Sequence, residues 1–466
     1  MGVSILHLHL HGLFRGRELE LGRDSDTGGQ TTYVLELVRA LAASSLVDRV
    51  EVLTRQIFDK RISVDYGQTT ELIGPGALIR RIPFGPRRYL RKELFWPFLD
   101  HLAERLCRQL QAQPRLPNWI HAHYADAGYV GALVARRLQL PLVFTGHSLG
   151  REKRRRLLEA GLDSQSIDAH YALSARIAAE ERALAQAQLV VTSTQHELDH
   201  QYARYSKFRP DLATVISPGV DSALFHPFAA TTESLNHPLV APFLRYPQRP
   251  PLLAICRADH RKNIPALLEV FARSELLREN HNLVLVLGCR QDLRQLDKPP
   301  REVLLQLFEL IDRYDLYGLV GYPKHHTREQ IPELYRWAAR LGGVFVNPAL
   351  TEPFGLTLLE SAACGLPVVA TDDGGPKDIL ERCNNGVLAD VSDLGALQAA
   401  IELSVSNATR WRGWRDNGLK AVRANYTWTA HVNRYLAMAS GALSPTEQVP
   451  DHQPPCSAYW HQASSS

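Results

Sequence analysis

Isolated cysteines, short apolar runs and a small net charge exclude several classes of protein. The six cysteines form no CxxC pair and follow no regular spacing, so a disulfide framework is not expected and reduced thiols are favoured. Apolar runs such as Leu283 to Leu287 fall far short of the roughly 20 residues that span a bilayer. The strand-like segment Val3 to Leu10 is preceded by no cationic leader, so no secretory signal is expected. We therefore predict a cytoplasmic protein.

The charges are nearly balanced, with a formal net charge of +4 over 466 residues. This balance does not favour a nucleic-acid-binding protein. Basic residues are nevertheless concentrated in three short runs, at Arg80-Arg81, Arg87 to Lys92 and Arg151 to Arg156. Such runs have two interpretations, a solvated helix face or a site for an anionic small molecule.

Short apolar segments alternate with segments of helical periodicity along most of the chain. The strand candidates are Val3–His9, Val50–Arg55, Trp119–His123, Leu140–Thr145, Gln188–Thr194, Leu252–Cys256, Leu283–Leu287, Gly343–Asn347 and Pro367–Thr371. The helix candidates are Thr31–Ala43, Ala127–Gln139, Ser174–Ala187, Ile264–Phe271, Val303–Tyr314, Arg328–Ala339 and Leu356–Cys364. Alternation of this kind predicts parallel sheets with helices on both faces.

A proline-rich interruption divides this alternating pattern into two parts. The stretch from Phe225 through Pro251 contains six prolines, so we expect an α/β protein with two Rossmann-like, doubly wound domains that face each other across a cleft. Ligands of such sheets bind at the carboxyl ends of the strands. The expected organisation is a first domain over 1–225, a linker over 226–250, a second domain over 251–425, a C-terminal helix over 426–443 that packs back toward the first domain, and a disordered tail over 444–466.

The loop after the first strand contains two glycines directly before a helix. Gly28 and Gly29 would allow a ligand to approach the backbone closely, and the free N–H groups of the helix start suit an anion. Asp24 and Asp26 also have the spacing of a metal-binding DxD sequence. Because they precede a glycine loop at the first strand, metal binding there is disfavoured.

Two cations follow the first strand of the second half. Arg257 and Lys262 lie five residues apart, just before a helix, and both could reach a diphosphate over the helix end. A cation within a few ångströms of a phosphate contributes up to several kcal/mol at an effective dielectric constant near 20. The pair could therefore stabilise a departing nucleoside diphosphate without a metal ion, although a surface-charge interpretation stays open.

Two glutamates flank the start of a helix further along the chain. Glu352 precedes a tight turn and could accept hydrogen bonds from sugar hydroxyls, whereas Glu360 lies within the helix and could hold a ribose diol. The freed N–H groups of Phe354, Gly355 and Leu356 suit a phosphate or sugar oxygen. Paired glutamates on a helix are more often salt-bridge partners, but the strand–turn–helix context favours a sugar-nucleotide site.

Alternating histidines in two strand candidates raise the question of a metal site. They are His7, His9 and His11 in one and His121 and His123 in the other. No cysteine or carboxylate cluster accompanies them at zinc-like spacing, so packing and hydrogen bonding are the favoured interpretation, and no metal is expected. His147 differs because it follows the end of a buried-type strand and is expected to point into the cleft.

The motifs together resemble those of retaining glycosyltransferases of the GT-B fold, and more narrowly the sucrose-phosphate synthase family in a short form without a phosphatase-like domain. The resemblance covers about residues 3 to 440. The matching segments are Asp26-Thr-Gly-Gly-Gln30, Pro83-Phe-Gly-Pro86, Lys92-Glu-Leu-Phe-Trp-Pro97, His121-Ala-His-Tyr-Ala-Asp126, Thr145-Gly-His-Ser-Leu-Gly-Arg-Glu-Lys153, Tyr322-Pro-Lys-His-His326, Val344-Phe-Val-Asn-Pro-Ala349 and Glu352-Pro-Phe-Gly-Leu356.

The resemblance implies UDP-glucose as donor, with ADP-glucose or GDP-glucose as alternatives, and fructose 6-phosphate as acceptor. It implies that Arg257 and Lys262 hold the diphosphate, Glu352 the glucose and Glu360 the ribose, and that Phe354, Gly355 and Leu356 also contact the donor. Gly29 would lie against the donor and His147 beside the glucose 6-hydroxyl and the reacting centre. The implied catalytic set is His147, Arg257, Lys262 and Glu352.

The resemblance also implies an acceptor site in the first domain, with no cofactor. Gly28, Gln30, Tyr124 and Ser148 would contact the sugar, and Lys92, Lys153 and Arg176 its 6-phosphate. The family tends to have two neighbouring arginines where this chain has Ala175-Arg176, so part of the phosphate site would be missing or supplied by another residue, such as Arg182. A separate sucrose-phosphate phosphatase is a candidate partner.

Several rival functions stay open at this point. Sucrose synthase uses free fructose, and mannosylfructose-phosphate synthase uses GDP-mannose. A nucleotide-sugar epimerase can share the architecture but needs no acceptor-phosphate site, so Lys92 and Lys153 count against it. A non-catalytic nucleotide-sugar sensor would not need Glu352 and Glu360 together with Arg257 and Lys262.

Overall fold

The structure is a computed structural model that describes residues 2–20, 23–24, 26–228 and 235–442. The chain divides into two compact units, Met1–Ser217 with His431–Ser466 and Pro218–Ala430. The expected tail over 444–466 and part of the expected linker over 226–250 lie outside the described residues. Unit one starts again within the C-terminal helix, so the divisions fall near residues 217 and 430, whereas the sequence analysis placed them at 225 and 426.

Unit one contains an eight-stranded sheet in the order β3-β4-β2-β1-β5-β6-β7-β8. Every neighbouring pair is parallel except β3 with β4. Its strands are β1 (Val3–Leu8), β2 (Val47–Arg55), β3 (Thr70–Gly74), β4 (Ala77–Ile82), β5 (Trp119–His123), β6 (Leu142–Thr145), β7 (Leu189–Thr192) and β8 (Ala213–Val215). Its helices are α1 (Gly29–Ala42), α2 (Leu99–Gln111), α3 (Tyr124–Leu138), α4 (Gly150–Glu159), α5 (Ser164–Tyr171), α6 (Leu173–Gln186) and α7 (Gln195–His200).

Unit two contains a six-stranded parallel sheet in the order β11-β10-β9-β12-β13-β14. Its strands are β9 (Pro251–Ile255), β10 (Asn282–Val286), β11 (Val320–Gly321), β12 (Val344–Asn347), β13 (Val368–Thr371) and β14 (Gly386–Ala389). Its helices are α8 (Ile264–Arg273), α9 (Glu275–Asn280), α10 (Lys298–Arg313), α11 (Gln330–Arg340), α12 (Leu356–Ala363), α13 (Pro376–Cys383), α14 (Leu394–Val405) and α15 (Ala408–Asn425).

The central strands are buried on both faces because helices cover each sheet. Every residue of β5, β6 and β7 is buried in unit one, as is every residue of β10, β12 and β13 in unit two. Such strands read as continuous apolar runs rather than as alternating ones. Two doubly wound sheets, one parallel throughout and one parallel except for its edge strand β3, confirm the predicted fold class.

The last helix, α16 (Trp428–Ala442), contributes its buried face to unit one from His431 onward. The hydroxyl of Tyr435 accepts a hydrogen bond of 2.8 Å from the indole N–H of Trp119 in β5. The Nδ1–H of His431 donates a hydrogen bond of 2.8 Å to the backbone oxygen of Ser217. These bonds join the C-terminal helix to the first unit. Among the described helices, none combines the length and apolarity that crossing a membrane requires.

Candidate active site

The carboxyl ends of β9 and β12 bring a lysine and a glutamate together in unit two. These strands are neighbours in the sheet, so the loops that follow them meet. The ammonium group of Lys262 donates to Oε2 of Glu352 at 2.6 Å. The side-chain amide of Asn347, the last residue of β12, donates to the same oxygen at 3.2 Å. Glu352 is thus held by two donors, and its other carboxylate oxygen is available to accept hydrogen bonds from a ligand.

A glycine pair after β13 fixes the backbone of Glu352. The N–H of Gly375 donates to the carbonyl oxygen of Glu352 at 2.9 Å, and the N–H of Glu352 donates to Asp373 at 3.1 Å. Gly374 has a φ of +100°, and a β carbon there would lie 2.2 Å from the Glu352 carbonyl oxygen. This loop was not predicted from the sequence. The adjacent Gly374-Gly375 after a strand was the signal that could have revealed it.

Replacing Gly374 by alanine should displace Glu352. Both the positive φ and the clash oppose a β carbon, so we expect the free energy of unfolding to fall by about 1–3 kcal/mol and the KM for the donor to rise by at least ~10-fold. Chemical denaturation and steady-state kinetics measure the two effects. Gly413→Ala is the matched control, because a β carbon there meets no atom within 4 Å and helix α15 should gain up to ~1 kcal/mol. An unchanged donor KM in Gly374→Ala would contradict the role of this loop.

Helix α12 begins with an uncapped N-terminus next to Glu352. Gly355 precedes it with a φ of +102°, and neither a side-chain cap nor an acidic residue occupies the first turn. The N–H groups of Phe354, Gly355 and Leu356 donate no hydrogen bond to another described residue. The free N–H groups and the positive end of the helix dipole together favour an anion or an electronegative sugar oxygen.

Glu360 lies one turn further along α12. Burial raises the pKa of its carboxyl group to about 7, and the hydroxyl of Tyr335 lies 3.4 Å from its Oε2. Two hydrogen bonds donated by a diol would favour the ionised form of this carboxyl group. The position of Glu360 is compatible with the ribose contact that the sequence resemblance implies.

Arg257 follows β9 in the same group of loops as Lys262. Its side chain is exposed and, within the described residues, forms no salt bridge. Its neighbour Arg261 instead pairs with Asp259 at 2.7 Å. Of the basic residues in this loop, Arg257 therefore has its charge free for a ligand.

In unit one, four of the predicted acceptor residues line one pocket. Lys92, Tyr124, Lys153 and Arg176 lie around it with Glu93, Trp96, Asp126 and Tyr171. They come from four different segments: the loop after β4, the start of α3, α4 and α6. Their sequence positions span residues 92 to 176, so only the folded sheet brings them together.

Aromatic rings and carboxylates hold the cations of this pocket in place. The guanidinium of Arg176 lies 4.4 Å from the ring centre of Tyr124, and its Nε donates to Glu180 at 2.9 Å. The ammonium of Lys153 lies 4.1 Å from the ring centre of Tyr171. Lys92 forms an ion pair with Asp26. Three cations fixed around a small pocket suit a phosphate group.

Burial and the neighbouring cations Arg176 and Lys92 lower the pKa of Lys153 to about 8. The lysine is therefore mostly charged at neutral pH, but close to losing its proton.

Tyr124, which forms one wall of the same pocket, has a φ of +76° at the first position of α3. A non-glycine residue in the left-handed region costs about 1–3 kcal/mol, and such residues concentrate at functional sites.

The basic runs noted in the sequence have mixed roles. Most of their arginines pair with carboxylates of unit one: Arg80 with Glu51, Arg81 with Glu71, Arg151 with Glu181, and Arg155 and Arg156 with Glu152. Only Lys92 and Lys153 of those runs line the pocket. The anion-site interpretation therefore applies to these two lysines, and ion pairing accounts for most of the arginines.

Arg182 does not replace the arginine that the family carries at position 175. Ala175 is buried, and Arg182 stacks on Tyr129 with its guanidinium 5.3 Å from the ring centre. It is not among the pocket residues. The structure therefore gives no support to the suggestion that Arg182 completes the phosphate site. Arg176 instead binds the loop after β6, donating to the backbone oxygen of Ser148 at 2.5 Å and lying 3.2 Å from its hydroxyl.

Helix α1 presents a second uncapped N-terminus. A β carbon on Gly28 or Gly29 would meet no atom within 4 Å, and neither has a positive φ. Packing and backbone conformation therefore do not explain these glycines, whereas the approach of a ligand would.

The polar side chains of this loop have partners within unit one. Gln30 is held by His9, whose Nδ1 lies 3.0 Å from the Gln30 amide nitrogen. Asp24 accepts hydrogen bonds from backbone N–H groups of the same loop, and Asp26 pairs with Lys92, so both carboxylates of the DxD spacing have local partners.

His147 lies in a strained turn directly after β6. Its φ is +57°, and the N–H of Gly146 donates to the hydroxyl of Tyr202 at 2.7 Å. A β carbon on Gly146 would come within 2.6 Å of the Leu149 side chain and 2.8 Å of the Tyr202 hydroxyl, so a larger residue there would displace both side chains. Nε2 of His147 lies 3.0 Å from Nδ1 of His123, which fixes the plane of the ring.

The alternating histidines form a buried cluster in which His7, His121 and His123 could each offer a ligand atom to a metal ion, all within 4.8 Å of one another. Both ring nitrogens of His123 are already hydrogen-bonded, one to His7 and the other to His147. A metal ion would have to replace these bonds, and no carboxylate belongs to the cluster. Hydrogen bonding accounts for the arrangement, so we do not propose a metal site here.

Comparison with known proteins places this geometry in a family. The model "Glycosyl transferases group 1" matches residues 241–421 and the model "Glycosyltransferase Family 4" matches residues 27–224. Together they include the segments that carry both groups of site residues. The chain belongs to the GT-B glycosyltransferases.

The relatives of this glycosyltransferase include sucrose-phosphate synthases. Sucrose-phosphate synthase 4 of Arabidopsis thaliana is 40% identical over 93% of this chain and 47% of its own length, so the chain spans about half the length of the curated relatives it matches. The solved sucrose-phosphate synthase of Thermosynechococcus elongatus is 25% identical, with a TM-score of 0.71 over 94% of this chain and 98% of that one. Anabaena HepE in complex with UDP and glucose is 18% identical, with a TM-score of 0.63 over 95% and 100% of the two chains, and shares the fold. The homology to sucrose-phosphate synthases and the GT-B fold confirm the resemblance found in the sequence.

Proposed function

We propose that this glycosyltransferase transfers glucose from UDP-glucose to fructose 6-phosphate, giving sucrose 6-phosphate and UDP with retention of the α configuration. The observation that carries the proposal is the pocket formed by Lys92, Lys153 and Arg176. A transferase for a neutral sugar has no need of three cations at its acceptor site, whereas a phosphate dianion does. The homology to sucrose-phosphate synthases supports the same reaction.

The donor would bind to unit two. Glu352, oriented by Lys262 and Asn347, would accept hydrogen bonds from glucose hydroxyls, and the N-terminus of α12 would face the sugar or the diphosphate. Glu360 would hold the ribose diol. The complex of the structurally similar HepE with UDP and glucose supports a nucleotide-sugar donor for this fold.

The reaction we propose is a front-face displacement. The acceptor hydroxyl oxygen forms a bond to C1 of glucose on the face from which the diphosphate departs, and the bond from C1 to the diphosphate oxygen breaks. The hydroxyl proton passes to an oxygen of the departing diphosphate. Arg257 and Lys262 would stabilise the negative charge that develops on this leaving group. We propose that this reaction uses neither a metal ion nor another cofactor.

Two alternatives within the same chemistry differ in one substrate each. A sucrose synthase would use free fructose, and a mannosylfructose-phosphate synthase would use GDP-mannose. The cationic pocket favours a phosphorylated acceptor over free fructose, while ADP-glucose and GDP-glucose are further candidate donors. We also propose a cytoplasmic location and a separate phosphatase acting on the product, since a phosphorylated disaccharide must lose its phosphate to give the free sugar.

A single assay panel tests the function. The protein is incubated with UDP-glucose, ADP-glucose, GDP-glucose or GDP-mannose, each combined with fructose or fructose 6-phosphate, and products are identified by mass spectrometry. We expect a hexose disaccharide phosphate only in reactions with fructose 6-phosphate, and fastest with UDP-glucose. Product from free fructose alone would overturn the proposed acceptor, and product with GDP-mannose alone would overturn the proposed donor.

The acceptor dependence should vary with pH in a way that identifies Lys153. Because its pKa is lowered to about 8, the lysine is charged below that pH and loses its charge as the pH rises through it. We therefore expect kcat/KM for fructose 6-phosphate to fall above pH 8. The variant Lys153→Arg keeps its charge at all accessible pH values and should lose this decrease, even if its affinity at pH 7 is lower. The same decrease in wild type and Lys153→Arg would exclude Lys153 as its source.

A further inference from the structure

Three histidine rings form a hydrogen-bonded chain that ends at the loop after β6. Nδ1 of His7 lies 2.9 Å from Nε2 of His123, and Nδ1 of His123 lies 3.0 Å from Nε2 of His147. The sheet register explains the arrangement. His7 in β1 is aligned with His121 in the parallel neighbour β5, and His123 lies two residues further on the same face. His123 is in turn aligned with Thr145 at the end of β6, two residues before His147.

Each ring in this chain is neutral at physiological pH. Burial lowers the pKa of His7 and of His147 to about 3 and the pKa of His123 well below its ordinary value. A neutral imidazole has one N–H donor and one acceptor nitrogen. Because His123 uses both of its nitrogens, the two hydrogen bonds must run in the same direction. The chain therefore has two possible polarities, and the groups at its ends decide between them.

The His7 end favours one polarity. Nε2 of His7 is buried and has no hydrogen-bond partner among the described residues. If the chain ran from His147 toward His7, this nitrogen would carry a hydrogen with no acceptor. If it ran from His7 toward His147, the same nitrogen would have only an unused lone pair. Buried N–H groups without a partner are rarer in proteins than acceptors without one, so the hydrogen bonds run from His7 to His123 to His147.

We infer that His7 and His123 are positioning residues that hold His147 as the Nδ1–H tautomer. In this tautomer Nε2 of His147 accepts from His123, and Nδ1 carries the hydrogen. His147 then presents a hydrogen-bond donor to a ligand and is unsuited to act as a general base through Nδ1. The strained turn at His147 and the bond from Gly146 to Tyr202 hold the backbone from which the ring projects.

The role of the His147 N–H group in the reaction rests on the proposed function, whereas the assignment of the tautomer does not. With a nucleotide sugar bound, the Nδ1–H of His147 would donate to an oxygen of the transferred sugar. This hydrogen bond would fix the orientation of the sugar. Because Nδ1 already carries a hydrogen, His147 would not compete with the diphosphate for the proton of the acceptor hydroxyl. The departing diphosphate would then be the proton acceptor, as in the front-face displacement.

The tautomer can be measured without substrate. The protein is labelled with ¹⁵N-histidine, and long-range ¹H–¹⁵N correlation spectra are recorded between pH 6 and 9, with His147→Gln used to assign the His147 signals. We expect a protonated Nδ1 and an unprotonated Nε2 for His147 over the whole range. An Nε2–H tautomer, a mixture of tautomers or an imidazolium at pH 7 would overturn the inference. A protein inactive with every substrate of the assay panel would still give this result, so the two proposals fail separately.

A matched pair of variants separates positioning from packing. His121 and His123 are both fully buried in β5, two residues apart, but His121 bonds to Thr145 and lies outside the chain. We expect His123→Phe to lose the single tautomer of His147 and to lower kcat by at least ~10-fold with KM values nearly unchanged, as expected when a catalytic imidazole is no longer held in one tautomer. His121→Phe should retain the tautomer and keep kcat within ~3-fold of wild type. Equal losses of kcat in both variants, with the tautomer of His147 retained, would assign the histidines to packing alone.

Discussion

Replacing Arg257 by alanine should lower kcat by roughly 10²–10³-fold while leaving the fold intact. The guanidinium is exposed, and within the described residues it forms no salt bridge, so folding gains little from it. If it lies beside the departing diphosphate, its charge acts mainly when the bond to C1 breaks. The loss should therefore appear in kcat more than in the KM for the donor.

The neighbouring Arg261 provides the control for this variant. It has the same side chain four residues away, but 76% of that side chain is exposed and it pairs with Asp259. Steady-state kinetics should show Arg261→Ala within about twofold of wild type, as is usual for an exposed surface pair. A turnover of Arg257→Ala within a few-fold of wild type would remove Arg257 from the mechanism. Thermal unfolding of both variants checks that the comparison concerns catalysis.

Replacing Glu352 by glutamine should lower kcat/KM for the nucleotide sugar by roughly 100-fold. Each hydrogen bond to a charged group contributes about 1.5–3 kcal/mol, and the carboxylate would accept such bonds from the sugar while holding Lys262. Glutamine has almost the same shape, so the loop between β12 and α12 should keep its conformation. Both side chains of the pair are partly exposed, 25% for Lys262 and 14% for Glu352, and we expect a small effect on stability.

Glu381→Gln is the corresponding control, because the same substitution is made at an exposed position of α13 in unit two. It should leave the kinetics unchanged. The double variant Lys262→Met with Glu352→Gln tests whether the two residues act together, since coupled residues give effects that do not add. Independent, additive losses would mean that the ion pair seen in the structure has no catalytic importance.

Much of the fold follows from local patterns in the sequence. The strand candidates Trp119–His123 and Gly343–Asn347 agree with β5 and β12 to within one residue, and the helix candidate Leu356–Cys364 agrees with α12 equally well. Central parallel strands are buried on both faces and so leave continuous apolar runs. The antiparallel edge strand β3 was not predicted, because only one of its faces is covered and Leu72 is 78% exposed.

The site was predictable where a sequence motif itself contains the side chains that would bind the ligand. Lys92, Lys153 and Arg176 were singled out from separate motifs, and the structure places them around one pocket. Their partners were not predictable, because Asp26 and Glu180 are assigned to these cations only by the folded arrangement. The polarity of the histidine chain likewise depends on a buried nitrogen without a partner, which no sequence pattern reveals.

The ion pair between Lys92 and Asp26 has a consequence for how the pocket responds to its ligand. Asp26 and Glu180 already pair with two of the three cations, so part of the repulsion among Lys92, Lys153 and Arg176 is offset before a ligand binds. If a phosphate group binds here, as in the proposed function, it would meet cations that already have carboxylate partners. These carboxylates hold the cations in position before any ligand arrives, so the proposed phosphate would need little further ordering of the side chains that bind it.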